Sequence, residues 1–144
     1  MTLGYLFAAM SSPVVCIHPE ESVSVASRTL THYNIGALPV CNGNRLCGMV
    51  TDRDIVTRCL AAGRSPETTP VRQIMTGQLH AVEPETEVGA AAHLMGRQQV
   101  RRLPVVENGR LCGMLSLGDI SHSEETVYDA GDALTEITGN ISDR

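Results

Sequence analysis

Val23, Ala26 and Leu30 recur at spacings of three and four, the signature of a helix with one buried stripe. The stripe returns as Val88, Ala91 and Met95. Before the first stripe stands a short apolar run, Val14–Ile17, closed by Pro19, which reads as a strand. After it come two strand-like runs, Ala37–Cys41 and Leu46–Val50, around the turn pair Gly43-Asn44. Arg102–Val106 and Leu111–Leu115 repeat this around Asn108-Gly109, and Asn-Gly is the strongest short hairpin signal. A second helix follows each hairpin, clearest at Asp54–Ala62, where Gly63 supplies a left-handed stop. The predicted order is therefore β-α-β-β-α, twice.

The repetition is literal. A shift of 65 residues lays Met10–Val56 on Met75–Ser121 without a gap, with Pro19 on Pro84 and Val23 on Val88. Leu38-Pro39-Val40 falls on Leu103-Pro104-Val105, Arg45-Leu46-Cys47-Gly48-Met49 on Arg110-Leu111-Cys112-Gly113-Met114, and Asp54-Ile55 on Asp119-Ile120. Such a duplication predicts an α/β (α+β) fold of two like units about a pseudo-twofold axis, with a site in one mirrored in the other. The expected divisions are residues 6–63 for the first copy, 64–70 for a polar linker holding Pro66 and Pro70, 71–122 for the second copy and 123–144 for a tail.

The tail carries its own pattern. Val127, Ala130, Leu134, Ile137 and Ile141 recur at helical spacing, with Asp129, Asp132 and Glu136 off the stripe. This predicts a C-terminal helix covering apolar surface on its own module or on a second subunit.

Composition narrows the chemistry. A formal charge of −5 lacks the basic footprint of a nucleic-acid binder. All 11 basic residues are arginine, so Schiff-base chemistry on lysine is excluded. The apolar residues 3–10 follow no positive segment and are too short to span a bilayer, which leads to the expectation of a soluble cytoplasmic protein without membrane contact. Five cysteines form no Cys-x-x-Cys and leave one over in any pairing. A two-residue turn pairs Val40 with Cys47 and Cys41 with Leu46, which sends Cys41 and Cys47 to opposite faces and argues against a disulfide between them. Cys16-Ile17-His18 lacks further ligands at metal spacing, so no metal site is expected, and the thiols read as reduced and mostly buried. The five histidines show no triad spacing and no enzyme is expected.

The candidate chemistry lies where each hairpin runs into the second helix: Gly48-Met49-Val50-Thr51-Asp52-Arg53-Asp54 and Gly113-Met114-Leu115-Ser116-Leu117-Gly118-Asp119. A hydroxyl residue three before an aspartate at such a junction can aim both side chains, and the free helix N–H groups, at one spot. That suits a ribose diol with phosphate near the helix N-terminus, and the glycine admits close approach of a ligand. Ser/Thr-x-x-Asp is equally the capping-box pattern, in which the aspartate turns back to its own backbone.

Together, Ile35-Gly-Ala-Leu-Pro-Val, the doubled glycine-hydrophobic-x-Thr/Ser-x-x-Asp motif and the repeat spacing resemble a tandem pair of cystathionine β-synthase (CBS) domains, the Bateman module, over about residues 6–122. Thr-Asp-Arg-Asp-Ile looks most like small stand-alone bacterial proteins of the hypoxic-response type. The resemblance implies adenosine compounds held in two clefts between sheet-packed copies, with ribose contacts from Asp54 and Asp119, hydroxyl help from Thr51 and Ser116, and further contacts from Ile35, Ala37, Val100, Cys16 and Ala81. It places phosphate-binding basic residues just before the Leu-Pro-Val strand. The second copy has Val100-Arg101-Arg102 there, whereas the first has Ile35-Gly36-Ala37 and only Arg53, inside the motif, as a basic candidate. The implied function is a regulatory AMP, ADP or ATP sensor, requiring no cofactor, acting on an unidentified protein target or through a homodimer. An interaction scaffold with empty clefts is the alternative; S-adenosylmethionine is less favoured because Arg101, Arg102 and Arg53 offer positive charge that a cationic sulfonium would not want, and NAD is a further, less favoured ligand.

Overall fold

The computed structural model describes residues 1–4, 14–121, 131 and 133–137. They divide into two compact units, each centred on one copy of the repeat. Residues 15–79, with Gly109–Leu111, form the unit around the first copy; residues 1–14, 80–108 and 112–144 form the unit around the second.

In the first unit, α1 (Val23–Tyr33) starts at Ser22, whose hydroxyl accepts from the Val25 N–H, and ends at Asn34 in the left-handed conformation. Strands β1 (Ala37–Asn42) and β2 (Arg45–Thr51) pair antiparallel. The helix predicted from Asp54 begins earlier, as a short α2 (Asp52–Asp54) capped by Thr51, and runs on as a π-helix over Ile55–Leu60. Gly63 stands beyond it at φ 74°. The second unit repeats the series as α3 (Val88–Gln98), β3 (Arg102–Glu107), β4 (Arg110–Ser116) and α4 (Leu117–Ser121).

The two hairpins turn differently. Gly43 alone takes positive φ in the first, as a type II′ turn requires, whereas Asn108 and Gly109 both do in the second, as type I′ requires. One expectation of register fails. Cys41 faces Leu46 as predicted, but Val40 faces Gly48, so Cys47 is the extra residue of a β-bulge. The thiols are also less buried than composition suggested, since Cys16 and Cys112 are exposed, Cys47 is intermediate, and only Cys41 and Cys59 are buried.

The leading strand of each copy shrinks to one parallel bridge, Ile17↔Val40 and Val82↔Val105. Prolines account for it. Ile17 donates to the Pro39 carbonyl at 3.0 Å and accepts from the Cys41 N–H at 2.8 Å. Extension backward needs an N–H from residue 39 and extension forward needs one from residue 19, and both are proline. Pro104 and Pro84 stand at the matching positions of the second copy.

Each unit has its own core, filled by matched residues. Ile17, Val23, Ala26, Leu30, Leu38, Val40, Val50 and Ile55 lie in the first, and Val82, Val88, Ala91, Met95, Leu103, Val105, Leu115 and Ile120 in the second. The alpha-helical stripes predicted from spacing are thus the buried faces.

A further piece completes each core from outside the aligned repeat. In the first unit Val71 donates to Glu21 O and Arg72 to Pro19 O; in the second Leu3 donates to Thr86 O and Gly4 to Pro84 O, on equivalent acceptors. Val71 and Leu3 are both fully buried at 0% exposure. Leu3 and Gly4 therefore do for the second copy what Val71 and Arg72, just past the polar linker, do for the first.

Of the tail stripe, Ile137 is buried as expected, but Ala133 is buried in place of Leu134, which is 41% exposed. Ala133 joins the second unit's core, so the helix packs on its own module. It comes close because any side chain at Gly96 of α3 would meet the Glu136 carboxylate and the Ala133 backbone. Val127, Ala130 and Ile141 lie outside the described residues.

Truncating Leu3 tests the equivalence of the two completing segments. Leu3→Ala should destabilise the protein by about 2–5 kcal/mol, as for a buried leucine anywhere in a core. Urea denaturation followed by circular dichroism measures it; a change under ~0.5 kcal/mol, typical of a surface position, would remove Leu3 from the core.

Candidate functional site

In both copies the hydroxyl and the aspartate close a capping box. The Asp54 N–H donates to Thr51 Oγ1 at 3.1 Å, and the Thr51 N–H donates to Asp54 Oδ2 at 3.0 Å. In the second copy the Asp119 N–H donates to Ser116 Oγ at 3.1 Å and the Ser116 N–H to Asp119 Oδ2 at 2.8 Å. The bonds satisfy orphan donors at the helix start and fix each aspartate at the end of a strand. Asp54 is buried, at 9% exposure, and Asp119 is partly buried.

One more backbone bond ties each motif to the segment before its hairpin. Asp52 N donates to Gly36 O at 3.2 Å, and Leu117 N donates to Arg101 O at 3.0 Å. Those segments are themselves pinned to the preceding helix, Ile35 N by Leu30 O and Val100 N by Met95 O, each at 3.0 Å. In the first unit this gathers Ile35 and Ala37 beside Thr51 and Asp54, with Ala37 directly opposite Thr51 in the ladder. In the second it gathers Val100, Arg101 and Arg102 beside Ser116 and Asp119, and both arginines are exposed. Cys16 and Ala81 sit one residue before the bridges at Ile17 and Val82, on the outer side of β1 and β3.

Two features were missed by sequence reasoning. Arg58 Nε lies 3.7 Å from Asp54 Oδ1, while its Nη1 donates to the carbonyls of Ile74 and Met75 at 3.2 and 3.3 Å. The basic group facing the first aspartate is therefore Arg58, one helical turn on, whereas Arg53 is exposed beside it. The Asp-x-x-x-Arg spacing carried that signal. The second is the use of Gly48. An added Cβ there would lie 2.7 Å from Met75 Sδ and 2.8 Å from the Thr76 carbonyl oxygen, so the chain's own residues, rather than a ligand, take the close approach. Met49 and Thr76 exchange hydrogen bonds of 2.9 and 2.8 Å across it. No sequence pattern announced that pairing.

The CBS domain pattern covers residues 6–61 and 71–136. The chain belongs to the CBS domain family. CBS domains are generally regulatory rather than catalytic. The CBS domain-containing protein YhcV of Bacillus subtilis is 36% identical over 129 residues, which are 90% of this chain and 91% of that protein. Among solved structures, Hypoxic Response Protein I with two coordinated zinc ions shares 33% identity at a TM-score of 0.75, over 85% of this chain and 98% of that one. The CBS domain protein PAE2072 of Pyrobaculum aerophilum, complexed with AMP, shares the fold at a TM-score of 0.76 with 24% identity, over 92% and 99%.

Among the described residues of this CBS protein no three His, Cys, Asp or Glu side chains converge as metal ligands. Nor is any described helix long and apolar enough to cross a membrane.

Gly48 offers a direct check on what fills its notch. Gly48→Ala should cost about 1–3 kcal/mol, because a backbone carbonyl must move to admit the methyl group. Gly77→Ala, with nothing within 4 Å of the added carbon, should stay within ~0.5 kcal/mol of the parent. Equal effects of the two substitutions in urea denaturation would contradict the close packing of Thr76 on β2.

Proposed function

We propose that the protein is a regulatory module that binds adenine nucleotide, AMP, ADP or ATP, at the Thr51–Asp54 and Ser116–Asp119 motifs, with no catalysis of its own. The observation that carries this reading is the duplicated placement of a strand-end aspartate beside a pinned pre-strand segment. Each capping box engages Oδ2 of its carboxylate, and a carboxylate accepts roughly four hydrogen bonds in all. A ribose diol can use the rest. Arg101 and Arg102 supply the positive charge suited to phosphate, and their planar forks match its oxygens. The AMP complex of the Pyrobaculum relative supports the ligand class. Output goes through an unidentified protein target or a homodimer, in keeping with the cytoplasmic setting expected of the chain.

A second reading has one observation in its favour: both motifs are completed internally, as an interaction scaffold with helix caps and empty sites would have them. Calorimetry separates the two. Asp54→Asn and Asp119→Asn keep a capping oxygen but remove the charge, and each should weaken nucleotide binding at its own site by about 1.5–3 kcal/mol, on the order of tenfold to a hundredfold. Melting of the unliganded variants should barely move. Unchanged affinity and stoichiometry in the double variant would favour the scaffold.

Phosphate preference gives an independent check on the second site. Arg102→Ala should lose more affinity for ATP than for AMP, and more for AMP than for adenosine, because each added charge gains from the guanidinium. A uniform loss across the three would make Arg102 a structural residue.

A further inference from the structure

Arg58 stands one helical turn beyond Asp54, with its Nε 3.7 Å from Asp54 Oδ1. That is an ion pair without a hydrogen bond, whose N···O distance runs to about 3.2 Å. The other end of the guanidinium is what holds it in place. Nη1 donates to the carbonyls of Ile74 and Met75 at 3.2 and 3.3 Å, and reaches Thr76 Oγ1 at 3.5 Å. These acceptors follow the short 3-10 helix at Val71–Gln73, whose end favours a cation. Ile74 is buried at 1%, and Thr76 exchanges two backbone bonds with Met49 of β2, so the anchor is as firm as the core. The Arg58 side chain remains 50% exposed and open to a solute.

The second copy has no such residue, because the 65-residue register puts Ser123 at that position. It has Arg101 and Arg102 before β3 instead, where the first copy has Gly36 and Ala37. Each copy therefore sets arginine beside its aspartate, but from opposite sides of the motif. We propose that Arg58 is the specificity-determining residue of the first site: by cancelling the charge of Asp54 it makes that site prefer phosphorylated adenosine to the neutral nucleoside. The inference rests on the nucleotide-binding reading given above. A buried carboxylate that grips a ribose also repels the phosphate of the same ligand. Two like charges ~7 Å apart at an effective dielectric of ~20 weaken binding roughly fiftyfold, and screening at a half-exposed position reduces this to on the order of tenfold. Arg58 brings the local charge to zero before a ligand arrives. Anchored on backbone carbonyls, it keeps its place when a ribose hydroxyl takes up Oδ1, so no reordering opposes binding. A half-exposed pair at i and i+4 adds little to folding, which leaves the ligand as the main beneficiary of the charge.

The test measures AMP and adenosine affinities by calorimetry on the full chain carrying Asp119→Asn, so that the first site dominates. Circular dichroism melting verifies that each further variant is folded. The ratio of the adenosine to the AMP dissociation constant should follow the charge at the motif. Arg58→Gln should lower it about tenfold, and Asp54→Asn should raise it even though both ligands then bind more weakly. The double variant Asp54→Asn, Arg58→Gln should return it close to the parent value, and Arg58→Lys, which keeps the charge, should preserve most of it. High salt should compress all these differences. Equal weakening of AMP and adenosine by Arg58→Gln would make Arg58 a purely structural anchor and overturn the assignment, as would a double variant no closer to the parent than Arg58→Gln alone. AMP bound with the ratio unmoved by Arg58→Gln would sink this inference and spare the nucleotide reading; no AMP bound by the Asp119→Asn chain would sink both.

Discussion

The reciprocal hydrogen bonds between a strand-end hydroxyl residue and the aspartate three positions on are the constraint from which each site is built. They set the angle at which helix leaves strand, and that angle aims the next backbone N–H, of Asp52 or Leu117, at the carbonyl of Gly36 or Arg101. The pre-strand segment is thereby held against the motif. A cap of this kind contributes only about 0.5–2 kcal/mol, so its main consequence is geometric. The capping pattern and the proposed ribose contact, which the sequence presents as rivals, do not exclude each other, since a carboxylate has more acceptor capacity than one cap uses. Oδ2 makes the cap, and in the first copy Oδ1 has Arg58 Nε at 3.7 Å.

Around this repeated frame the copies diverge at the periphery. The frame itself is conserved in detail, down to paired prolines that stop the leading strand after one bridge and matched side chains in the two cores. What differs is chemistry at the rim: Gly36-Ala37 against Arg101-Arg102, and the thiols Cys16 and Cys41 against Ala81 and Val106. On the proposed reading, such a division leaves each copy able to take a different ligand without any change in how it folds. The completing segments show the same economy, since Leu3 and Val71 fill equivalent places from unrelated stretches of sequence.

Much of this was legible in the sequence because the signals are local. Helical spacing found α1 and α3, Asn-Gly and Gly-Asn found the hairpins, and the motif spacing found both capping boxes. The misses were long-range or a matter of a single residue. Nothing in the order of residues says that Leu3 belongs to the second copy's core, or that Thr76 lies against Met49. The bulge at Cys47 follows from where Gly48 must sit under Met75 and Thr76, a contact that a hairpin rule cannot see. The tail stripe was misjudged by one position, because close approach at Gly96 favours the small Ala133 over the larger Leu134 at the buried face.

The central claim, that capped aspartates in both copies remain competent to hold an adenine nucleotide, is tested most directly by nitrogen–proton correlation NMR of the full chain titrated with AMP. The account predicts saturable shifts at the Thr51, Asp54, Ser116 and Asp119 amides and in the Arg101–Arg102 segment, with Thr51 and Ser116 N–H groups staying protected from exchange because their capping bonds persist. Saturating AMP that leaves those amides unmoved, or that moves them only as their capping bonds are lost, would contradict it.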